Sequence, residues 1–467
     1  MSSGTIPTRF GTPDRYRWAV FGVLSIIYFM ACLHRVAPTV IAGDLVLEFD
    51  TDATALGVMA SAYFYLYAAV QPPVGVLSDT LGPRAVTTAF ACIACAGVML
   101  FALAPGMAWA TAGRALVGIG VGGVFIPALK IFSSWFRKKE FASITGLFLA
   151  VGNAGNLSAS LPLTWLVILL GWRASFMALG VVTLVMVFLA WLVLRDRPED
   201  KGWPPIAEDD TAEEAFPDRS RDDSPGISAG TSPGTSPGIS PDTSPTLPSD
   251  TGGEAPAGTG TLARLSMVAG SADFWKVTLS YFFFGGPALA FQGLWAVPYL
   301  VDVHGYGRMA AGGLLMLIPL GFIIGAPLVG FFSDRLSTGR KQVILLTLGA
   351  SLACWSVFLL TGAKPPGALI GPLFLVIGIC GGGTLSLYFS MVRDLFPPWL
   401  TGTAIGLMNP AAFLGTALFQ PFSGYLMDLV GRIGTAYPRE AYHHMFIAVF
   451  ISMTVGILAI AMVKNRR

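Results

Sequence analysis

Charged residues are scarce in this sequence. Asp, Glu, Lys and Arg make up only 12% of its 467 residues, whereas hydrophobic residues make up 54%. Soluble globular domains carry about 25% charged residues, so this scarcity excludes an ordinary soluble fold. The net charge of +2 gives no basic surface for DNA or RNA, and a nucleic-acid partner is excluded.

Metal-ligating and catalytic motifs are also missing. The five Cys residues all fall in apolar runs, and Cys92-x-x-Cys95 has no second pair of ligands nearby, unlike a zinc site. The sequence contains no P-loop, no H-E-x-x-H motif and no evident nucleophile with its base. We therefore predict neither an enzyme nor a metal or cofactor site.

Long apolar runs dominate what is present. About 20 apolar residues are needed to cross a hydrocarbon core roughly 30 Å thick. Twelve such runs are predicted, as six plus six, near residues 18–41, 53–77, 85–103, 108–134, 141–167, 173–194, 275–301, 310–332, 343–362, 367–391, 400–427 and 443–463. The sequence thus predicts an all-α membrane protein with bundles over residues 1–194 and 275–467. The first run lacks a cleavage signature and is read as a retained helix.

A polar segment separates the two sets of runs. Hydropathy falls between residues 195 and 274, where Ser-Pro pairs begin at Ser224, Ser232, Ser236, Ser240 and Ser244. This composition predicts a disordered linker. Lys and Arg concentrate on the side that holds both termini, so the termini and the linker are predicted to be cytoplasmic.

Two connections in equivalent positions of the two halves carry similar residues. After the second run these are Gly75, Ser78, Asp79, Gly82 and Arg84, and after the eighth Gly330, Ser333, Asp334, Arg335, Gly339, Arg340 and Lys341. They resemble the G-x-L-a-D-R-x-G-R-R motif of the major facilitator superfamily, although Thr80 and Pro83 stand where the first motif usually has Arg. The pattern Arg114, Gly118, Gly120 further resembles the branch that carries organic anions and organophosphates.

This resemblance implies a mechanism as well as a fold. Members have twelve helices in two pseudo-symmetric six-helix bundles and work by rocker-switch alternating access. Asp79, Arg84, Asp334 and Arg335 would then be gating residues. Asp79 would face the start of span 11 near Thr401 to Thr403, and Asp334 the start of span 5 near Ser143, where a helix N-terminus attracts a carboxylate. A monomer in the bacterial inner membrane is expected.

Three cations lie inside the predicted spans, and no mid-span Asp or Glu accompanies them: Arg35, Arg114 and Lys130. Buried charge of this kind usually marks a substrate or ion path. Arg35 leads as a substrate contact, because an Arg fork matches carboxylate and phosphate. Lys130 and Arg114 are further candidates, but either could reach water at its end of span 4. The acids Asp44, Glu48, Asp50 and Asp52 could pair with Arg35 only if its helix ends early.

Neutral polar residues could complete such a site. They are Tyr63 and Tyr67 on one face of span 2, Asn153 and Asn156 on span 5, Gln292 and Trp295 on span 7, Tyr388 on span 10, and Asn409 and Gln420 on span 11. Packing or interhelical hydrogen bonding is the alternative for each of them. His34 is a candidate for proton coupling, because its ordinary pKa lies near neutrality, and a hydrogen-bonded structural role is its alternative.

These features favour a secondary transporter for a small organic anion, either a carboxylate or a phosphorylated metabolite. Its partners would be that anion, the lipid bilayer and a coupling ion, H⁺ or Na⁺. The alternatives are an amino acid or dipeptide carrier, a drug efflux antiporter, and a substrate sensor that does not transport. The absence of a Gly-Pro pair in span 5 disfavours efflux, and the absence of a cavity acid disfavours an amino acid substrate.

Overall fold

The chain forms a nearly all-helical bundle. The computed structural model describes residues 13–204, 261–335 and 340–463. In the first half the spans are Pro13–Val36 with Pro38–Glu48 (span 1), Ala53–Thr80 (span 2), Pro83–Ala102 (span 3), Met107–Gly122 with Phe125–Trp135 (span 4), Lys138–Ser158 with Leu161–Leu170 (span 5) and Trp172–Val193 (span 6). Part of the predicted linker is ordered as the short helices Pro198–Lys201 and Thr261–Ala269, and residues 205–260 lie outside the described residues.

The second half repeats this arrangement. Its spans are Ala272–Ala290 with a π turn at Phe291–Trp295 and Ala296–His304 (span 7), Arg308–Leu315 with Leu317–Arg335 (span 8), Arg340–Leu360 (span 9), Gly367–Leu395 (span 10), Pro398–Met408 with Pro410–Asp428 (span 11) and Arg439–Ala461 (span 12). Ten helices in the described part of the chain are long and apolar enough to cross a membrane, and the two pieces of span 5, bent by 42°, make an eleventh. The predicted fold class is therefore confirmed, with span 7 divided by its π turn.

Proline explains the breaks in spans 1 and 11. A proline nitrogen has no hydrogen to donate, and its ring collides with the preceding turn, so a helix tends to break there. The break in span 1 comes at Ala37, just before Pro38, and the break in span 11 at Asn409, just before Pro410. Arg35 consequently lies beside an irregular turn at the middle of its span.

The two halves meet through equivalent helices. Span 2 packs along span 11, span 5 along span 8, and span 1 along span 7. Exchanging the halves converts each of these pairs into itself or into another of them, which is the expected pseudo-symmetry. The backbones of spans 2 and 11 approach closely at two glycines, Gly57 and Gly424.

The two ends of the bundle differ. We call the end where span 1 begins the terminal face, and the opposite end the far face. At the far face Asp44 of span 1 binds Arg308 of span 8 in two hydrogen bonds, of 2.6 and 2.9 Å. At the terminal face the ion pairs among described residues instead stay within one half, as in Arg17 with Glu140 and Arg340 with Asp394. The halves are therefore bound to each other by charge at the far face.

Candidate substrate-binding site

Arg35 lies between the two halves. Its guanidinium carbon is 5.8 Å from the centroid of the Tyr67 ring on span 2 and 5.2 Å from that of the Phe413 ring on span 11. A cation over an aromatic face is attracted by the ring's quadrupole. One aromatic ring from each half therefore holds the Arg35 side chain at the centre of the molecule.

This guanidinium has no protein counterion among the described residues. The acids that sequence analysis considered as partners are engaged elsewhere, with Asp44 on Arg308 and Glu48 on Arg173. The Nε atom of Arg35 is buried and has no hydrogen-bond partner in the described part of the chain. An uncompensated positive charge with an unused donor is what an anion-binding site requires before its ligand arrives.

Tyrosine hydroxyls surround the Arg35 charge. Tyr63 and Tyr67 lie on one face of span 2, as predicted, with ring centroids 6.0 Å apart and planes 8° from parallel. The Tyr63 hydroxyl is buried close to the Arg35 guanidinium and forms no hydrogen bond to any other described residue. Tyr28 and Tyr281 also lie within electrostatic range of the guanidinium. The wall around Arg35 is therefore aromatic and lined with groups that can bind hydroxyl or carboxyl oxygens.

Arg114 lies behind this wall and supports span 1. Because Pro38 has no N–H, the carbonyl of His34, four residues earlier, loses its helical donor. The Nη1 atom of Arg114 donates to this carbonyl at 2.8 Å, and its guanidinium carbon lies 4.8 Å from the Tyr63 ring centroid. Arg114 is only 1% exposed. Its position makes it a support for the break beside Arg35, although its Nε and Nη2 atoms have no partner.

Lys130 does not join this cluster. Its ammonium group forms an ion pair with Asp79 and donates to the Ser78 carbonyl at 2.9 Å, at the terminal end of span 2. The expectation that Lys130 lacks a counterion is therefore wrong, because the long side chain reaches out of the span to the next connection. The contact expected between Asp79 and Thr401 to Thr403 is absent from the described hydrogen bonds, and the Asp79 side chain is 73% exposed.

Replacing Lys130 by Gln is a direct test of this placement. An exposed pair contributes about 0–1 kcal/mol, so the melting temperature should change little. Because Lys130 lies away from Arg35, anion affinity should stay within about twofold of the parent, as measured by titration of the purified protein. A loss of affinity comparable to that of an Arg35 variant would return Lys130 to the binding site.

The polar residues of the second half divide into two groups. Trp295 donates to the Ser423 hydroxyl at 2.8 Å, and the Tyr388 hydroxyl is 2.7 Å from that of Ser280, so both tie helices of their own half together. Gln292 lies in the π turn of span 7 and is 9% exposed. Gln420 is fully buried, and neither of its amide atoms has a partner within the described ranges. Gln292 therefore keeps some access to solvent or ligand, and Gln420 keeps unused hydrogen-bonding capacity.

The other predicted residues have local hydrogen-bond partners or lie at a helix break. His34 is buried with its Nε2 atom 3.4 Å from the Thr183 hydroxyl of span 6, which is the structural alternative considered for it. Asn153 donates to the Leu149 carbonyl and accepts from Asn156 within span 5. Asn409 is partly buried at the break in span 11.

The predicted gating residues are only partly visible. The backbone N–H of Arg84 donates to Asp196 at 2.6 Å, and its guanidinium donates to the Trp191 carbonyl at 2.8 Å, so Arg84 fastens span 3 to span 6. Burial raises the pKa of Asp196, which lies beyond the end of span 6. The side chains of Asp334 and Arg335, with the expected contact to Ser143, lie outside the described residues.

Sequence reasoning missed Phe413 and Tyr281. Both are aromatic residues in apolar spans, and nothing in a single sequence distinguishes such residues from packing. The i, i+4 spacing of Asn409 and Phe413 would have placed them on one helical face.

Comparison with known proteins identifies the family. The Major Facilitator Superfamily model matches residues 24–418, so this chain belongs to that superfamily and is a multi-pass membrane protein of a transporter family. The hexuronate transporter of Escherichia coli K12 is 23% identical over 430 residues, which cover 89% of this chain and 88% of that protein. A probable galactarate/D-glucarate transporter of Bacillus subtilis is 22% identical over 445 residues, covering 92% and 90%.

Solved structures share the fold. A bacterial homologue of the human lysosomal transporter Spinster, in an inward-facing and unoccupied conformation, has a TM-score of 0.68 at 17% identity and covers 96% of both chains. The nucleoside transporter NupG has a TM-score of 0.67 at 12% identity, covering 96% of this chain and all of that one. At these identities the likeness establishes architecture alone.

Proposed function

We propose that this protein is a secondary transporter that moves a small organic anion by alternating access. The observation that carries this proposal is the Arg35 guanidinium between the halves, which has no counterion and no partner for its buried Nε donor among the residues that the structure describes. In a superfamily whose substrate site lies between two bundles near the membrane midplane, this is where a substrate carboxylate or phosphate would bind.

The surroundings of Arg35 favour a hydroxylated anion, such as a sugar acid. The Gln420 amide is buried and has no partner among the described residues, and the Tyr63 hydroxyl has none there besides the Arg35 guanidinium, so each of them can bond to a hydroxyl. Two relatives that match most of the chain are named as transporters of hexuronate and of galactarate or glucarate. We therefore propose a monocarboxylate or dicarboxylate derived from a sugar.

Orientation follows from the distribution of Lys and Arg. Their concentration on the terminal face supports a cytoplasmic location for both termini, by the positive-inside rule. The far face is then external, and its closure corresponds to an inward-facing transporter. We place the protein in a bacterial plasma membrane.

Cation symport is the proposed energy source, with H⁺ or Na⁺ as the driving ion. No acid lies beside Arg35 to carry a proton within the described residues, and His34 is enclosed against span 6. Counterflow in proteoliposomes at several external pH values, with and without Na⁺, distinguishes the two ions.

A ligand screen tests the proposal. Purified protein is warmed with sugar acids, sugar phosphates, neutral sugars and amino acids, and stabilisation is measured. Binding raises the melting temperature by an amount that grows with ligand concentration over Kd. We expect hexuronates or aldarates to stabilise the protein and the neutral sugar of the same carbon skeleton to have no effect. Equal stabilisation by the neutral sugar would contradict an anion site.

Binding that is not followed by uptake would identify a sensor. The anion that stabilises the protein is therefore also tested for counterflow in proteoliposomes.

A further inference from the structure

The carboxylate of Asp428 forms hydrogen bonds between the two halves. Asp428 ends span 11, yet its oxygens accept hydrogen bonds from the first residues of span 2. The backbone N–H groups of Ala53 and Thr54 donate at 3.1 and 2.7 Å, and the Thr54 hydroxyl donates as well. The hydroxyl of Tyr437, in the connection to span 12, supplies a fourth donor at 2.6 Å.

These contacts complete the N-terminal cap of span 2. The first N–H groups of a helix have no partner within the helix, and they carry partial positive charge. Among the described hydrogen bonds, Asp52, the residue before span 2, accepts from the Ala55 N–H, at 2.7 Å. The N–H groups of Ala53 and Thr54 are instead satisfied by Asp428 of the other half. Opening the far face would leave them to water.

A second carboxylate holds this cap in place. The Tyr437 hydroxyl also accepts from the Ala53 N–H at 2.8 Å, while its own N–H donates to Asp302 of span 7 at 3.2 Å. The Tyr442 hydroxyl donates to the same Asp302 at 2.7 Å. Burial and the neighbouring Asp428 raise the pKa of Tyr437, so its phenol keeps its proton and remains a donor. A continuous set of hydrogen bonds therefore connects span 12 and span 7 to the start of span 2.

The same two helices carry the predicted latch at the opposite face. There the family resemblance places Asp79, near the end of span 2, against the start of span 11. The structure shows the reciprocal contact, with the end of span 11 against the start of span 2. Asp79 meanwhile pairs with Lys130 in its own half.

We propose that Asp428 is a gating residue: its carboxylate, by capping span 2 across the two halves, holds the far face closed and stabilises the inward-facing conformation. This proposal rests on the alternating-access function given above. Spans 2 and 11 would then form a two-position latch, in which one carboxylate is engaged at a time.

Distances between spin labels on the purified, lipid-embedded protein test the latch. In a background whose Cys residues are replaced by Ala, Leu103 and Leu360 are changed to Cys and labelled, because both are exposed at the far face in different halves. Leu81 and Leu346, exposed towards the terminal face in different halves, provide the second pair. The variant is Asp428→Asn, which keeps the shape but loses the charge and one acceptor oxygen.

The matched control is Glu48→Gln. Glu48 is also a far-face carboxylate with Arg and Trp partners, but Arg173 and Trp172 belong to its own half. Asp428→Asn should raise the ratio of molecules with a long far-face distance to those with a short one by about tenfold, because hydrogen bonds to a charged acceptor are lost. The terminal-face distance should shorten in the same fraction of molecules. Thr54→Val, which removes one donor, should produce a smaller shift, and Glu48→Gln none.

Two results would overturn the latch. One is a distance distribution for Asp428→Asn that matches the parent, and the other is an equal shift in Glu48→Gln, which would show a general loosening of the far face. If Asp428→Asn does not fold, Thr54→Val probes the same contact from the opposite half, and an unchanged distribution there also rejects the proposal. No substrate is needed, so this test stands even if the anion-binding proposal fails.

Discussion

Replacing Arg35 by Gln is expected to raise the Kd for the anion, and the anion concentration that half-saturates uptake, by about 100-fold. An Arg fork makes two charge-assisted hydrogen bonds to a carboxylate, and each is worth about 1.5–3 kcal/mol, while tenfold in affinity corresponds to about 1.4 kcal/mol. Gln keeps a donor of similar reach but loses the charge. Titration calorimetry and initial uptake rates in proteoliposomes measure the change, with Lys130→Gln as the control cation.

The ligand-free stability of the same variant should move in the opposite direction. Arg35 is a cation without a described counterion, so its removal relieves an electrostatic cost. We expect Arg35→Gln without ligand to melt at the same temperature as the parent or higher, and to gain little from an anion concentration that stabilises the parent. Arg35→Lys keeps the charge without the fork, and its stabilisation by added anion should fall between that of the parent and that of Arg35→Gln. A variant that melts far below the parent would instead mark Arg35 as a structural residue.

The second large effect is expected from Gly57→Ala, which should lower uptake at least tenfold. An added Cβ would lie 2.5 Å from the Gln420 carbonyl oxygen and 2.7 Å from the Pro421 Cα, both in the backbone of span 11. Neither atom can turn away, so spans 2 and 11 would have to separate, and overpacking of this kind costs about 1–3 kcal/mol. The far face would then close poorly, and outward-facing molecules should accumulate.

Gly43→Ala is the matched control for this change. Gly43 lies in the second piece of span 1, Pro38–Glu48, and an added Cβ there meets nothing within 4 Å. Uptake rates and the far-face label distances described above give the readouts. Normal uptake by Gly57→Ala would mean that the far face does not close to the degree that the structure shows.

Much of the fold could be predicted because membrane spans depend on local composition. Twelve apolar runs in two sets of six account for the helices. Where each span bends was harder to foresee. Pro38 and Pro410 each break a helix, but Pro287, Pro327 and Pro372 lie inside continuous helices. Whether a proline breaks a span depends on neighbours that can bond to the freed carbonyl.

The site shows what a sequence alone can and cannot supply. The position of Arg35 between the halves was predictable from charge within an apolar run. Lys130 also sits in an apolar run, but only the fold shows that its ammonium group reaches Asp79. The support that Arg114 gives the His34 carbonyl depends on a contact between residues 80 positions apart. The role of Asp428 depends on a contact with Thr54, 374 positions earlier, which the sequence around Asp428 does not reveal.

Span 1 joins two functions on either side of one break. Arg35 lies on the first piece of the span, two residues before Ala37, and Asp44, which binds Arg308 across the far face, lies on the second piece. Only the turn at Ala37 and Pro38 separates the two pieces of span 1, and Arg114 supports this turn. A small rotation at this turn would move Asp44 relative to Arg35. Ligand binding and closure of the far face would then be coupled through the same segment of span 1.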